Sequence, residues 1–168
     1  MSSGVQPEST ETDAGVEVLS SSPQLLQLSL PCTPAAVDRA TTLASVLLRD
    51  LPTDTHDGLC RALRELLLNA IEWGGHFDSD LRVMFTGIRT ARLVMLQISD
   101  PGAGFKTDPE HFDHCAVCNP EGDPIHHVQV REERGMRPGG LGLMIVRAAA
   151  DDLVFNQSGN EVVLLKYL

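Results

Sequence analysis

Glu65 and Asn69 stand four residues apart in the run Glu65-Leu-Leu-Leu-Asn69-Ala-Ile-Glu-Trp-Gly74. On a helix that spacing puts both side chains on one face. A carboxylate there can accept the proton of an attacking nucleophile. An amide oxygen beside it can ligate Mg²⁺, which keeps several waters and shares its other positions between protein and phosphate oxygens. A second block, Asp100-Pro-Gly102-Ala-Gly104-Phe105, closes an apolar run with an acid. Its glycines let backbone approach a flat ligand with no Cβ in the way. A third block, Arg137-Pro-Gly139-Gly140-Leu141-Gly142-Leu143, opens into an apolar, helix-like run, where free N–H groups and the helix dipole favour phosphate.

The three blocks complement one another as a single adenine-nucleotide site. Glu65 is the candidate general base and Asn69 the candidate Mg²⁺ ligand. Asp100 would accept from adenine's amino group, where guanine presents a carbonyl. Gly102 and Gly104 line the base, Gly139, Gly140 and Gly142 cradle phosphates, and Leu141 anchors the loop between them. Arg137 fits either a γ-phosphate contact or an exposed position. Taken singly, each residue has a plain alternative: a solvated helical Glu, a surface amide, a turn Asp, an ordinary loop-to-helix junction. Their order and spacing favour one site.

The elements that must position these groups are legible around them. Residues 25–30 alternate enough for a strand ended by Pro31, and residues 34–51 carry Val37, Leu43, Val46 and Leu47 near helical spacing with Thr33 as cap. Pro52 separates this from a helix over 54–73 that carries Glu65 and Asn69, closed by Gly74-Gly75. Residues 81–86 and 92–99 read as strands, 142–151 as a helix, and 153–157 and 161–167 as a hairpin turning at Ser158-Gly-Asn160. Residues 105–138 show little periodicity, and so long a loop inside a compact domain is usually functional.

The chain has 168 residues, 42% of them hydrophobic, enough for one core and one domain. Net charge is −10, which argues against nucleic acid or an anionic membrane as the main partner. There is no membrane-spanning run and no signal-peptide pattern at the N-terminus, which predicts a cytoplasmic protein. Residues 1–24 are rich in Ser, Thr, Glu and Gly and lack Lys and Arg, and are predicted to form a flexible acidic tail. Cys32 and Cys60 read as core thiols.

In this order the blocks resemble the ATP-binding fold shared by gyrase, the heat-shock chaperones, histidine kinases and the mismatch-repair ATPases. Over residues 25–168 the chain resembles the bacterial anti-sigma-factor serine kinases, and Gly159-Asn-Glu-Val-Val-Leu-Leu-Lys-Tyr-Leu168 looks like that family's last strand. The resemblance implies an α/β two-layer sandwich, a mixed sheet with helices on one face, and a lid at about 106–138. It implies ATP and Mg²⁺ as cofactors and transfer to a Ser or Thr of an anti-anti-sigma (STAS-type) protein, with a sigma factor as second partner. A homodimer is compatible with it; direct nucleic-acid or membrane binding is not expected. A different class also fits: a non-catalytic, nucleotide-gated module that sequesters a partner. The family's frequent His-Gly is replaced here by Trp73-Gly74, a difference expected to affect packing rather than the metal. His111, His114, Cys115 and Cys118, with His126 and His127, are metal-ligand types, but one Cys-x-x-Cys pair in a lid that must move argues for unmetallated side chains.

Overall fold

A computed structural model of the chain describes residues 14–104, 115–116, 119–136 and 139–168. Its elements are β1 (Glu17–Ser22), β2 (Leu25–Pro31), α1 (Pro34–Leu48), α2 (Thr53–Asn69) continued by a π-helical turn (Ala70–Gly74), β3 (Arg82–Arg89), β4 (Leu93–Ser99), α3 (His126–Glu133), α4 (Gly142–Ala149), β5 (Asp152–Phe155) and β6 (Glu161–Tyr167). The strands form one sheet in the order β1-β2-β3-β4-β6-β5.

Every pairing in that sheet is antiparallel, which corrects the mixed sheet expected from the sequence. The reason lies in the connections. Between β2 and β3 the chain makes two helical traverses, α1 out and α2 back, so β3 starts from the end where β2 stopped and must run against it. A single crossover helix would have made the pair parallel.

Leu28, Leu30, Phe85, Leu96, Ile98 and Leu164 point from the sheet into the core. They meet Val37, Leu48, Leu59, Leu63 and Leu67 of the helical layer, so the two-layer sandwich is present. Ala36, Ala40 and Ala44 recur every fourth residue on α1 and are fully buried, giving that helix a flat, small face for close approach. Thr33 caps it as predicted, its hydroxyl accepting from the Ala36 N–H at 3.3 Å. Val46, assigned by spacing to the apolar face, is instead 55% exposed. Among the described residues no helix is long and apolar enough to cross a membrane.

Part of the predicted acidic tail is a strand. Residues 17–22 pair with β2 from Glu17↔Ser29 to Ser22↔Leu25, with a bulge between Val18 and Ser20. The Ser22 hydroxyl accepts from the N–H groups of Gln24 and Leu25 at 3.3 and 3.1 Å, closing the turn. An edge strand needs backbone groups more than apolar side chains, so a Ser-rich run can fill it. Residues 1–13 lie outside the described residues.

Candidate nucleotide-binding site

The helix that starts at Thr53 brings Leu59, Ala62, Leu63, Leu66 and Leu67 onto its buried side. That leaves Glu65 and Asn69 on the neighbouring face, at the wall of a cavity of about 800 Å³, within the range of small-molecule sites. Neither side chain has a hydrogen-bond partner among the described residues. Past Asn69 the helix widens into its π turn, where Gly75 N–H reaches the Ala70 carbonyl at 3.0 Å. Such turns concentrate at functional sites. Glu72, Trp73 and Gly74 of this turn continue the cavity wall.

At the other end stands Asp100, just past β4. Its Oδ1 accepts from Gly102 N–H at 2.8 Å. Burial pushes its carboxyl above the ordinary carboxylate range, opposed by that N–H. Gly74 is packed directly against it: a Cβ at position 74 would overlap the Asp100 side chain. Gly102 backs onto Gly74, and its N–H holds the Asp100 carboxylate. Gly104 does reach the cavity and lies against the Ser158 carbonyl.

The glycine-rich loop closes the opposite wall. Gly139, Gly140, Leu141 and Gly142 all border the cavity, with Gly140 at φ 95°, a backbone setting that favours glycine. Gly142, first residue of α4, leaves room for Glu65: a Cβ there would come within 2.7 Å of Glu65 Oε2. The structure therefore brings together the proposed base and the proposed phosphate loop, 77 positions apart in sequence (142 − 65). Leu141 is 52% exposed, so it does not anchor the loop in the core as expected. The tie is a backbone one, Ala116 N–H to the Gly140 carbonyl at 2.9 Å.

Several cavity residues went unread in the sequence. Arg131 of α3 and Arg134, which follows that helix, line it, and Arg131 is only 7% exposed, with its guanidinium against Gly139. They face a wall carrying Glu65, Glu72, Asp100 and Glu161. Asn160, read only as a turn residue, lines the cavity as well. Its carbonyl accepts from Asp100 N–H at 2.9 Å and its amide donates to the Gly102 carbonyl at 3.3 Å. Asn156 holds that turn, its Oδ1 accepting from Gly159 and Asn160 N–H at 2.7 and 3.1 Å. The only cue was the Asn-x-x-x-Asn spacing across the hairpin.

Phe105, Arg137, His111, His114 and Cys118 lie outside the described residues. Cys115 borders the cavity. His126 pairs with Asp123 at 3.6 Å and the His127 N–H donates to Asn119 at 2.8 Å. Among the described residues no three His, Cys, Asp or Glu side chains are grouped to hold a metal by themselves. Mg²⁺ makes no such demand, because phosphate and water fill most of its shell. Asn69, unpartnered beside Glu65, fits one position of it.

A two-layer sandwich with this cavity between its second helix, its fourth strand and a glycine-rich loop defines an ATP-binding domain. The chain matches the histidine kinase-like ATPase domain over residues 30–166 and belongs to that family. No curated protein matches it. The family is one of ATP-dependent phosphotransfer or hydrolysis, and the resemblance read from the three blocks is upheld at that level.

Proposed function

We propose that the chain is a cytoplasmic, ATP-dependent protein serine/threonine kinase that acts as an anti-sigma regulator by phosphorylating a STAS-type anti-anti-sigma protein. The observation that carries the kinase reading is the placement of Glu65 against Gly142 at the start of α4. A base is useful for phosphotransfer only where the γ-phosphoryl sits, and the N-terminus of α4 with its glycine loop is where phosphate is favoured. Asp100, at the far end of the cavity, accepts from the adenine amine.

In this reading the partner's Ser or Thr hydroxyl gives its proton to Glu65 while its oxygen bonds to the γ-phosphorus. The bond from that phosphorus to the β,γ-bridging oxygen breaks and ADP leaves. Bound Mg²⁺, with Asn69 among its ligands, would offset the phosphate charge that the acidic wall otherwise repels. Arg131 and Arg134, on the opposite wall, are placed to spread charge on the transferred group. Incubation with γ-labelled ATP and a STAS-type partner tests this. Label on a Ser or Thr of the partner is expected. ATP binding with no transfer would leave the nucleotide-gated binding module as the better reading.

A further inference from the structure

His56, Asp57 and Cys60 meet near the start of α2, and none of them borders the nucleotide cavity. Four residues apart, His56 and Cys60 share a helix face, and His56 Nε2 stands 3.8 Å from Cys60 Sγ. The ring's other nitrogen, Nδ1, lies 2.8 Å from Asp57 Oδ1. A carboxylate only accepts, so in the neutral ring Nδ1–H donates to Asp57 and Nε2 presents its lone pair to the sulfur. Cys60, read from the sequence as a core thiol, is only partly buried, and a second cavity of about 400 Å³ opens beside His56.

The spacing of these two atoms suits a shared cation. Zinc bonds of about 2.0–2.1 Å to imidazole nitrogen and about 2.3 Å to sulfur would hold them about 3.6 Å apart at a tetrahedral angle and about 3.8 Å at 120°. Asp57 supplies the carboxylate that a ligating imidazole regularly holds with its second N–H. The charges agree. Burial first, then the Asp57 carboxylate, raises the Cys60 thiol above its ordinary value. The negative charge that disfavours a bare thiolate favours a thiolate carrying a divalent cation. Arg49, the cation beside the second cavity, is paired with Asp50 at 3.8 Å and is 72% exposed, so its repulsion is screened. The helix also lacks a cap here: Pro52 at the N-cap position makes no side-chain bond, and a link between residues 56 and 60 would pin its first two turns.

We propose that His56 and Cys60 form an exchangeable zinc site on α2, with Nε2 and the thiolate as ligands, Asp57 orienting the imidazole, and water from the adjoining cavity in the remaining positions. Binding forms the Zn–S and Zn–N bonds and releases the thiol proton to solvent. Two protein ligands do not make a closed structural site, so the ion comes and goes. The inference stands apart from the ATP reading.

Titration of the reduced full-length protein with chelator-buffered Zn²⁺ tests it, together with peptide mapping of cysteine alkylation. Zn²⁺ should slow alkylation of Cys60 at least tenfold, and Mg²⁺ should not. Affinity should rise about tenfold per pH unit near neutrality, as one released proton requires. Cys60→Ala and His56→Gln should abolish this binding, and Asp57→Asn, a change at an exposed carboxylate, should weaken it about tenfold or more while the metal-free melting temperature holds. The proposal is overturned if Zn²⁺ leaves Cys60 alkylation unchanged or protects only another cysteine, results read on the unaltered protein. It is overturned equally if His56→Gln binds Zn²⁺ as the parent does.

Discussion

Asp100→Asn is the sharpest single perturbation of this cavity, because the structure dictates how the new amide must sit. The Gly102 N–H points at Oδ1 from 2.8 Å and requires an acceptor. The asparagine oxygen must take that place, which puts its NH₂ where Oδ2 was, facing the ligand. Adenine's amine then meets a donor instead of a carboxylate oxygen. A hydrogen bond to a charged group contributes about 1.5–3 kcal/mol, so ATP and ADP should bind about 10- to 150-fold more weakly. Guanine's carbonyl would meet the new donor favourably, and GDP should weaken less than ADP or improve. For the unaltered protein GDP should bind at least roughly tenfold more weakly than ADP.

The pH dependence of the same group has a definite sign. Burial raises the Asp100 carboxyl in the folded chain, so at acid pH the folded state holds a proton that the unfolded state, near the ordinary value of about 3.9, has lost. The stability this group contributes is therefore present at low pH and lost as pH rises through the raised value. At neutral pH the ionised side chain is a cost to the ligand-free fold that asparagine removes. Ligand-free Asp100→Asn should melt no lower than the parent at pH 7. ADP affinity of the parent should fall as pH drops into the raised range, and that of the variant should stay flat. Calorimetry with ADP and GDP, with melting curves across pH, reads all of this. An Asp100→Asn protein that binds ADP normally, or that loses ADP and GDP equally, would refute the acceptor geometry.

Glu65→Ala should cut phosphotransfer by about 100-fold or more while leaving ATP affinity within a few-fold; a parallel loss of both in single-turnover and binding assays would remove its role as base. Asn69→Ala should weaken ATP binding several-fold in Mg²⁺ and leave metal-free binding unchanged, as read by calorimetry with and without chelator. Cys115 borders the cavity whereas Cys32 is fully buried, so peptide mapping should find alkylation at Cys115 slowed by ADP. Equal labelling with and without ADP would place that thiol off the ligand.

What the sequence disclosed was what local chemistry can encode. Glu65-x-x-x-Asn69 announces a shared helix face, and Asp100 before two glycines announces a backbone that a flat ligand can approach. The helix-start glycines announce a loop at a helix N-terminus, and the structure sets it at the cavity wall. What it hid depends on distant contacts. Strand direction has no local signature, so the sheet read as mixed. The inner face of α3 is made of His127, Val130 and Arg131, two of them polar, so its periodicity was masked and Arg131 went unnoticed. Gly74 looked like a helix terminator, and only the fold reveals that Asp100 occupies the space its side chain would need. Asn160 looked like a turn residue, and its hold on the Asp100 loop arises from pairing β4 with β6.

The contact between Gly74 and Asp100 makes the helix of the proposed metal ligand and the proposed base acceptor one jaw of a caliper. Because no side chain fits between them, the span from Asn69 to Asp100 is a fixed gauge, ruled into the sandwich itself. The glycine loop and α3 form the other jaw, which meets the gauge where Gly142 packs against Glu65. A nucleotide's base would thus be measured against one wall, and the number of its phosphates against the other. ADP and ATP would seat alike on the gauge and differ at the second jaw. A partner that touched only that jaw could tell the two apart without ever touching the nucleotide.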